Sequence, residues 1–130
     1  SGGELARIML VMKDVLSERD GTPAMVFDEI DEGVSGVAAQ RVAEKLARLS
    51  KKKQVICVTH LPQIAAMADT HFRIEKTERD GRTYTKVTPL EREGRIRELA
   101  RLHGGANITD TTLASAAEQL DAASEYKGGI

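Results

Sequence analysis

The sequence predicts an α/β chain, with parallel strands and flanking helices followed by a β-hairpin. Three observations predict it. Two short apolar runs, at 24–27 and 54–59, are bounded by turn or charged residues and read as buried strands of the parallel kind. A helical repeat lies between them, which makes the pair one βαβ crossover, expected to be right-handed. Farther on, Asp80-Gly81 stands between two extended segments as a two-residue hairpin turn.

The elements follow in order. Ser1-Gly2-Gly3-Glu4 has the form of a capping box, and Leu5, Ile8, Met9, Met12, Val15 and Leu16 recur at helical spacing. A helix is therefore expected over about 2–18, broken by Asp20-Gly21-Thr22-Pro23. The first strand runs to Phe27 and opens into an acidic loop with Asp28, Glu29 and Asp31. Ser35 caps a second helix to about Leu49, with Ala39, Val42, Leu46 and Leu49 expected on its inner face and Lys51-Lys52-Lys53 at its basic end. The second strand ends in His60, and Pro62 opens a short helix over 63–68. Strands are expected at 71–76 and 83–90. A helix over 91–103, with Ile96, Leu99 and Ala100 inward, stops at Gly104-Gly105. Thr109 caps a last helix with Leu113, Ala116, Ala117 and Leu120 in phase, and the tail over 125–130 is expected to be frayed.

Two parallel strands are too few for a finished sheet, and the chain begins at Ser1 with a helix start. It reads as one lobe over 1–130, a fragment whose remaining strands lie elsewhere in a longer chain. With 41% hydrophobic and 30% charged residues it has the makeup of a globular domain, and a formal net charge of −1 gives no global attraction to nucleic acid. The lone Cys57 cannot form an internal disulfide. No apolar run approaches the roughly 18–20 residues of a membrane span. With no Trp, two Phe and two Tyr, an aromatic base-stacking platform is not expected.

The chemistry points to the strand ends, because ligands of open α/β sheets bind there. Asp28 can hold Mg²⁺ directly or through water, an ion that takes one or two carboxylates plus phosphate oxygens. Glu29, one residue on, points differently and can polarise a water. The plainer account, solvated turn acids, is weakened by the apolar strand leading straight into them. At Ser1-Gly2-Gly3 the plainer account is a helix cap, while the functional one is a backbone anion site at a helix start. His60 matches Asp28 in position. An isolated His there is more often packed or capping, yet it can also hydrogen-bond a terminal phosphate. His71 and His103 have no acid or Cys partner at ligand spacing, and no zinc-type cluster is evident. Lys51–Lys53 and Arg92, Arg95, Arg97 and Arg101 read as solvated helix charges before DNA contacts. No phosphate loop of the G-x-x-x-x-G-K-[ST] kind is present, so this chain alone should bind ATP poorly.

Ser-Gly-Gly-Glu, an apolar strand into Asp-Glu, an acidic loop and a strand ending in His, in this order, resemble the C-terminal lobe of an ABC-type ATPase head. The wording at 26–36 and 58–69, and the later helices, resemble the SMC-like DNA repair branch of that family in bacteria. The resemblance implies a P-loop ABC/SMC-type head lobe whose Walker A lies in an N-terminal lobe of the same protein, separated by a coiled coil. It implies ATP and Mg²⁺ as substrate and cofactor. Ser1, Gly2 and Gly3 match the signature that contacts nucleotide held by the opposite subunit, and Asp31 matches the D-loop. Asp28 matches the Walker B aspartate, Glu29 the catalytic base and His60 the switch histidine. Glu4, where transporters usually have Gln, fits the SMC-like branch. The implied function is ATP-driven dimerisation of heads in double-strand break repair and recombination, with DNA bound through the full-length protein. No membrane partner is implied, and the location is the bacterial cytoplasm at the nucleoid. A binding module with a vestigial ATP site, or the head of another SMC-like ATPase, stays open at this point.

Overall fold

The computed structural model describes residues 24–28, 34 and 36–130. Element order is β1 (Ala24–Asp28), α1 (Gly36–Leu49), β2 (Gln54–Val58), α2 (Pro62–Met67), β3 (His71–Arg79), β4 (Arg82–Leu90), α3 (Arg92–Gly104) and α4 (Asp110–Gly128). The expected helix over 2–18 lies outside the described residues.

β1 and β2 pair in parallel, with Ala24 level with Gln54, Val26 with Ile56 and Asp28 with Val58. The run of Val, Ile and Phe with no alternation suits strands covered on both faces. Ile56 is the buried member of β2. The second sheet is the antiparallel pair β3–β4. Its strands are three residues longer at β3, and one at β4, than local alternation suggests, because the turn rather than burial sets the register. Asp80 (φ 51°) and Gly81 (φ 73°) both take positive φ, the conformation of a type I′ turn, whose twist matches the flanking strands.

The core lies among the helices. α1 packs on α2, α2 on α3 and α4, and α3 on α4, while β4 reaches the rest of the chain through α3. Among the described residues thirteen hydrophobic side chains are buried, and eight of these are alanines: Ala39, Ala43, Ala47, Ala65, Ala66, Ala100, Ala116 and Ala123. Leu99 is the large side chain with no exposure at all. Small side chains let backbones approach closely, so helices rather than large residues fill the interior. This corrects the inner face expected for α1. The stripe Ala39–Ala43–Ala47 is innermost, and Val42 and Leu46 sit beside it, partly buried.

Two helix ends behave as the sequence suggests. Gly105, at φ 72°, ends α3, and its N–H donates to the Arg101 carbonyl at 2.8 Å. Thr109 Oγ1 accepts from the Thr112 N–H at 3.2 Å, and Thr112 Oγ1 accepts from the Thr109 N–H at 2.8 Å, a reciprocal cap for α4. The tail is not frayed after Ser124. α4 continues to Gly128 because its last turn is tied to other elements. Arg48 Nε donates to Tyr126 Oη at 3.0 Å with its guanidinium over the ring, and Lys127 Nζ reaches the Ala68 carbonyl and Asp69 Oδ1, each at 3.1 Å. No helix among the described residues is long and apolar enough to cross a membrane.

Candidate nucleotide site at the strand ends

The parallel register brings the two strand ends to one edge. Asp28 closes β1 opposite Val58, and Thr59 and His60 follow directly as the chain leaves β2. The Asp28 and His60 side chains are both exposed there. Partial burial of the preceding apolar residues, complete at Ile56, fixes the strands, and the polar residues after them emerge at the rim. Ser1, Gly2, Gly3, Glu29 and Asp31, expected at the same site, lie outside the described residues, as does Ser35.

His60 is held from both sides. Before it, Thr59 Oγ1 accepts from the Leu61 N–H at 3.0 Å, a short side-chain turn that carries the chain around the histidine. After it comes α2, with Pro62 in its first turn, where a missing N–H costs nothing. Pro62, Ile64, Ala65, Ala66 and Met67 of this six-residue helix are all buried. A helix so short is not stable by itself. Its anchorage is tertiary.

Part of that anchorage is a clamp on the C-terminal carbonyls of α2. Arg95 Nη2, from α3, donates to the carbonyls of Ala65 (3.2 Å), Ala66 (3.4 Å) and Ala68 (2.8 Å). Lys127 Nζ, from α4, adds its bond to Ala68 and its ion pair with Asp69. Cations at a helix C-terminus meet both the unpaired carbonyls and the negative end of the helix dipole. Burial lowers the pKa of Arg95 and the charge of Asp69 offsets part of that. Read from sequence, Arg95 is one of several arginines on a helix surface. Nothing local marks it as the one that crosses to α2.

Beside the clamp lies a polar cluster at the root of the hairpin. Glu98 is 7% exposed and accepts from Arg101 Nε at 3.0 Å and from Arg101 Nη2, while Arg73 Nε stands 3.7 Å away. Burial pushes the Glu98 carboxyl up, but the hydrogen bonds and charge of Arg101, with Arg73 and His71, outweigh it and hold it below its ordinary value. His71 is half-buried. Its pKa is lowered by burial first and by Arg95 next, against a smaller upward pull from Glu98, and its Nδ1 has no hydrogen-bond partner. The i, i+3 spacing of Glu98 and Arg101 is a visible signal for the pair, but not for its burial. His103 lies apart, its Nε2 donating to Gln119 Oε1 at 2.7 Å.

Whether a metal fits can be asked of the donors. Among the described residues no three His, Cys, Asp or Glu side chains gather to hold one. An exposed carboxylate at the end of a parallel strand suits Mg²⁺, which needs few protein ligands when phosphates and water supply the rest. It does not suit zinc.

No protein-family model matches the chain. Among curated proteins it is 47% identical over 127 residues to DNA repair protein RecN of Bacillus subtilis, and 46% identical over 121 residues to RecN of Haemophilus influenzae. These alignments cover 98% and 93% of the chain but 22% of each relative, so the chain spans about a fifth of the length of the curated relatives it matches. A solved chain from work on the structural biochemistry of ATP-driven dimerization and DNA-stimulated activation of SMC ATPases is also similar. It superposes with a TM-score of 0.52 and 29% identity, over 82% of this chain and 64% of that one. The parallel pair, antiparallel hairpin and flanking helices thus share the fold of that solved chain from the SMC ATPase work, and over almost all of its length the chain is homologous to a segment of DNA repair protein RecN.

Proposed function

We propose that this chain is the C-terminal lobe of the ATPase head of a RecN-like protein. It would work in repair and recombination of broken DNA by ATP-dependent pairing of heads in the bacterial cytoplasm at the nucleoid. The observation that carries the reading is the parallel register, which sets Asp28 and His60 at one sheet edge in a chain 47% identical to a DNA repair protein. In this reading the lobe over 1–130 is completed by an N-terminal Walker A lobe of the same protein, which supplies the phosphate loop that the sequence lacks.

Each residue then has a stated task. Asp28 would hold Mg²⁺ through its carboxylate, directly or by way of a water, and the ion would supply charge neutralisation on the phosphates. Glu29 accepts a proton from the attacking water, a role worth about 10²–10⁴-fold in rate for a well-placed general base. His60 donates a hydrogen bond to an oxygen of the terminal phosphate, and the chain carrying it runs directly into the anchored helix α2. Ser1, Gly2 and Gly3 would offer their backbone N–H groups to the phosphate held by the opposite head. Asp31 lies across the interface between heads. Because half of the groups come from another lobe, the 130-residue chain by itself neither binds ATP tightly nor turns it over.

The test is Glu29→Gln in the full-length protein. ATP binding and paired heads should persist, with turnover falling at least about 100-fold. Undiminished turnover would remove Glu29 as the base. Turnover by the purified 130-residue chain would refute the need for a second lobe.

A further inference from the structure

The far half of the hairpin sorts its charges by face. Every residue from Lys76 to Lys86 is exposed, so this part of β3–β4 is a ribbon with solvent on both sides. At 3.3–3.4 Å per residue it stands about 13 Å clear of the covered part. The register sets Arg79 opposite Arg82, Thr77 opposite Tyr84 and Glu75 opposite Lys86, and residues so paired share a face. One face therefore carries Arg79, Arg82, Tyr84 and Lys86. The acid on that face, Glu75, is engaged by Arg73. The other face holds Lys76 and Glu78, which cancel, with Thr83 and Thr85. Asp80 belongs to the turn.

This sorting has a cost that edge protection does not explain. Charged residues on an exposed ribbon discourage aggregation whatever their order. Like charges placed directly opposite each other, as Arg79 and Arg82 are, destabilise the pairing. Arg79, Arg82 and Lys86 make no ion pair among the described residues. With a net charge of −1 for the whole chain, the patch is a local concentration rather than a sample of the surface.

Its spacing fits a regular polyanion. Alternate residues on a strand recur at about 6.8 Å, so the row Arg82, Tyr84, Lys86 spans about 14 Å. That is about four steps of the 3.4 Å rise per nucleotide along one strand of a duplex. Arginine and lysine supply charge, and the hydroxyl of Tyr84, a residue 50% exposed, can donate to a phosphate oxygen. A lone tyrosine is no stacking platform for single strands. We propose that the face formed by Arg79, Arg82, Tyr84 and Lys86 binds the phosphodiester backbone of duplex DNA. The choice of DNA over another polyanion rests on the head reading above.

The experiment uses the full-length protein carrying R79A/R82A/K86A and a fluorescent duplex of about 30 base pairs. Anisotropy is followed between about 50 and 200 mM salt. Losing three phosphate contacts should lower the log–log salt slope by about 2.7, so that the affinity loss across this range shrinks about 40-fold. Affinity at the low-salt end should fall about 10-fold or more. R79K/R82K should keep the wild-type slope, and T83A/T85A on the other face should change neither quantity. DNA-free ATP hydrolysis of the triple variant should match wild type, and its thermal midpoint should not fall below it. Unchanged slope and affinity in a folded triple variant overturns the proposal, as does an equal loss in T83A/T85A. Loss of head pairing with DNA binding intact also overturns it, since the face would then be a protein contact. A wild-type protein that hydrolyses no ATP would defeat the head reading, while the anisotropy still decides on the hairpin.

Discussion

Replacing Arg95 with methionine should loosen the segment behind His60 without unfolding the protein. Methionine keeps most of the apolar stem and removes the guanidinium, whose Nη2 serves three carbonyls. Two of those carbonyls retain another donor: Ala65 from the Ala68 N–H at 3.3 Å, and Ala68 from Lys127 Nζ at 3.1 Å. Only the Ala66 carbonyl loses its sole clamp. Hydrogen bonds from a charged donor are worth about 1.5–3 kcal/mol net. The variant also sheds a buried Nε that has no partner, which offsets part of the loss. The balance is about 2 kcal/mol, or about 30-fold in the opening of α2. Hydrogen exchange of peptides covering 60–70 in the full-length protein measures it, and that stretch should lose protection about 30-fold while β3–β4 keeps its own. ATP affinity should hold and turnover fall, because His60 would then visit more positions. Protection unchanged within about threefold would refute the clamp as the support of α2, and a general loss across the chain would refute its local character.

Other outcomes follow from the same geometry. Leu99→Ala should cost about 2.7–5 kcal/mol, read from denaturant midpoints, since the side chain is wholly enclosed. Thr109→Ala removes one half of the α4 cap and should cost about 1 kcal/mol by the same measure. Acidification should destabilise the fold in two stages. The His71 pKa is depressed, so stability is lost as pH falls below its ordinary 6.5. Glu98 is also depressed, so its contribution stands above 4.5 and is lost as pH falls through its lower folded value. Unfolding followed against pH should show the upper stage vanish in His71→Asn and the lower one in Glu98→Gln. Gly81→Val, at φ 73°, should weaken the hairpin by about 1–2 kcal/mol, with Gly81→Asn nearer to wild type in exchange of the strand amides.

The elements were legible where local rules suffice. Val-Ile-rich runs, Pro62 at a helix start, Asp80-Gly81, Gly105 and Thr109 each announce a strand, cap or turn through their own stereochemistry, and each stands where expected. Asp28 and His60 were found together because parallel strands leave their polar ends at one edge. What depended on long-range packing was not legible. Arg95 and Lys127 act on carbonyls 27 to 59 residues away in sequence. Burial of Glu98 depends on arginines from β3 and α3 meeting over it. Ala43 and Ala47 on the inner stripe of α1 were not legible because hydrophobicity ranks Val42 and Leu46 above them, whereas close helix approach prefers the smaller residue. The end of α4 was expected to fray because Tyr126 and Lys127 show no local reason for order, and their partners Arg48 and Asp69 lie far back in the chain.

The alanine-lined interior has a mechanical consequence. A core of leucines and methionines can absorb a small push by switching rotamers, but alanine has no χ angle to turn. Where α2 meets its neighbours through Ala65 and Ala66, and α1 and α4 present Ala43, Ala47, Ala116 and Ala123, there is little slack between backbones. Met67, Ile64, Leu99 and Leu120 are the buried side chains of that cluster with rotamers to turn, and the others are alanines. Where alanine meets alanine, a shift of one helix is met by its neighbour's backbone rather than by a side chain that can give way.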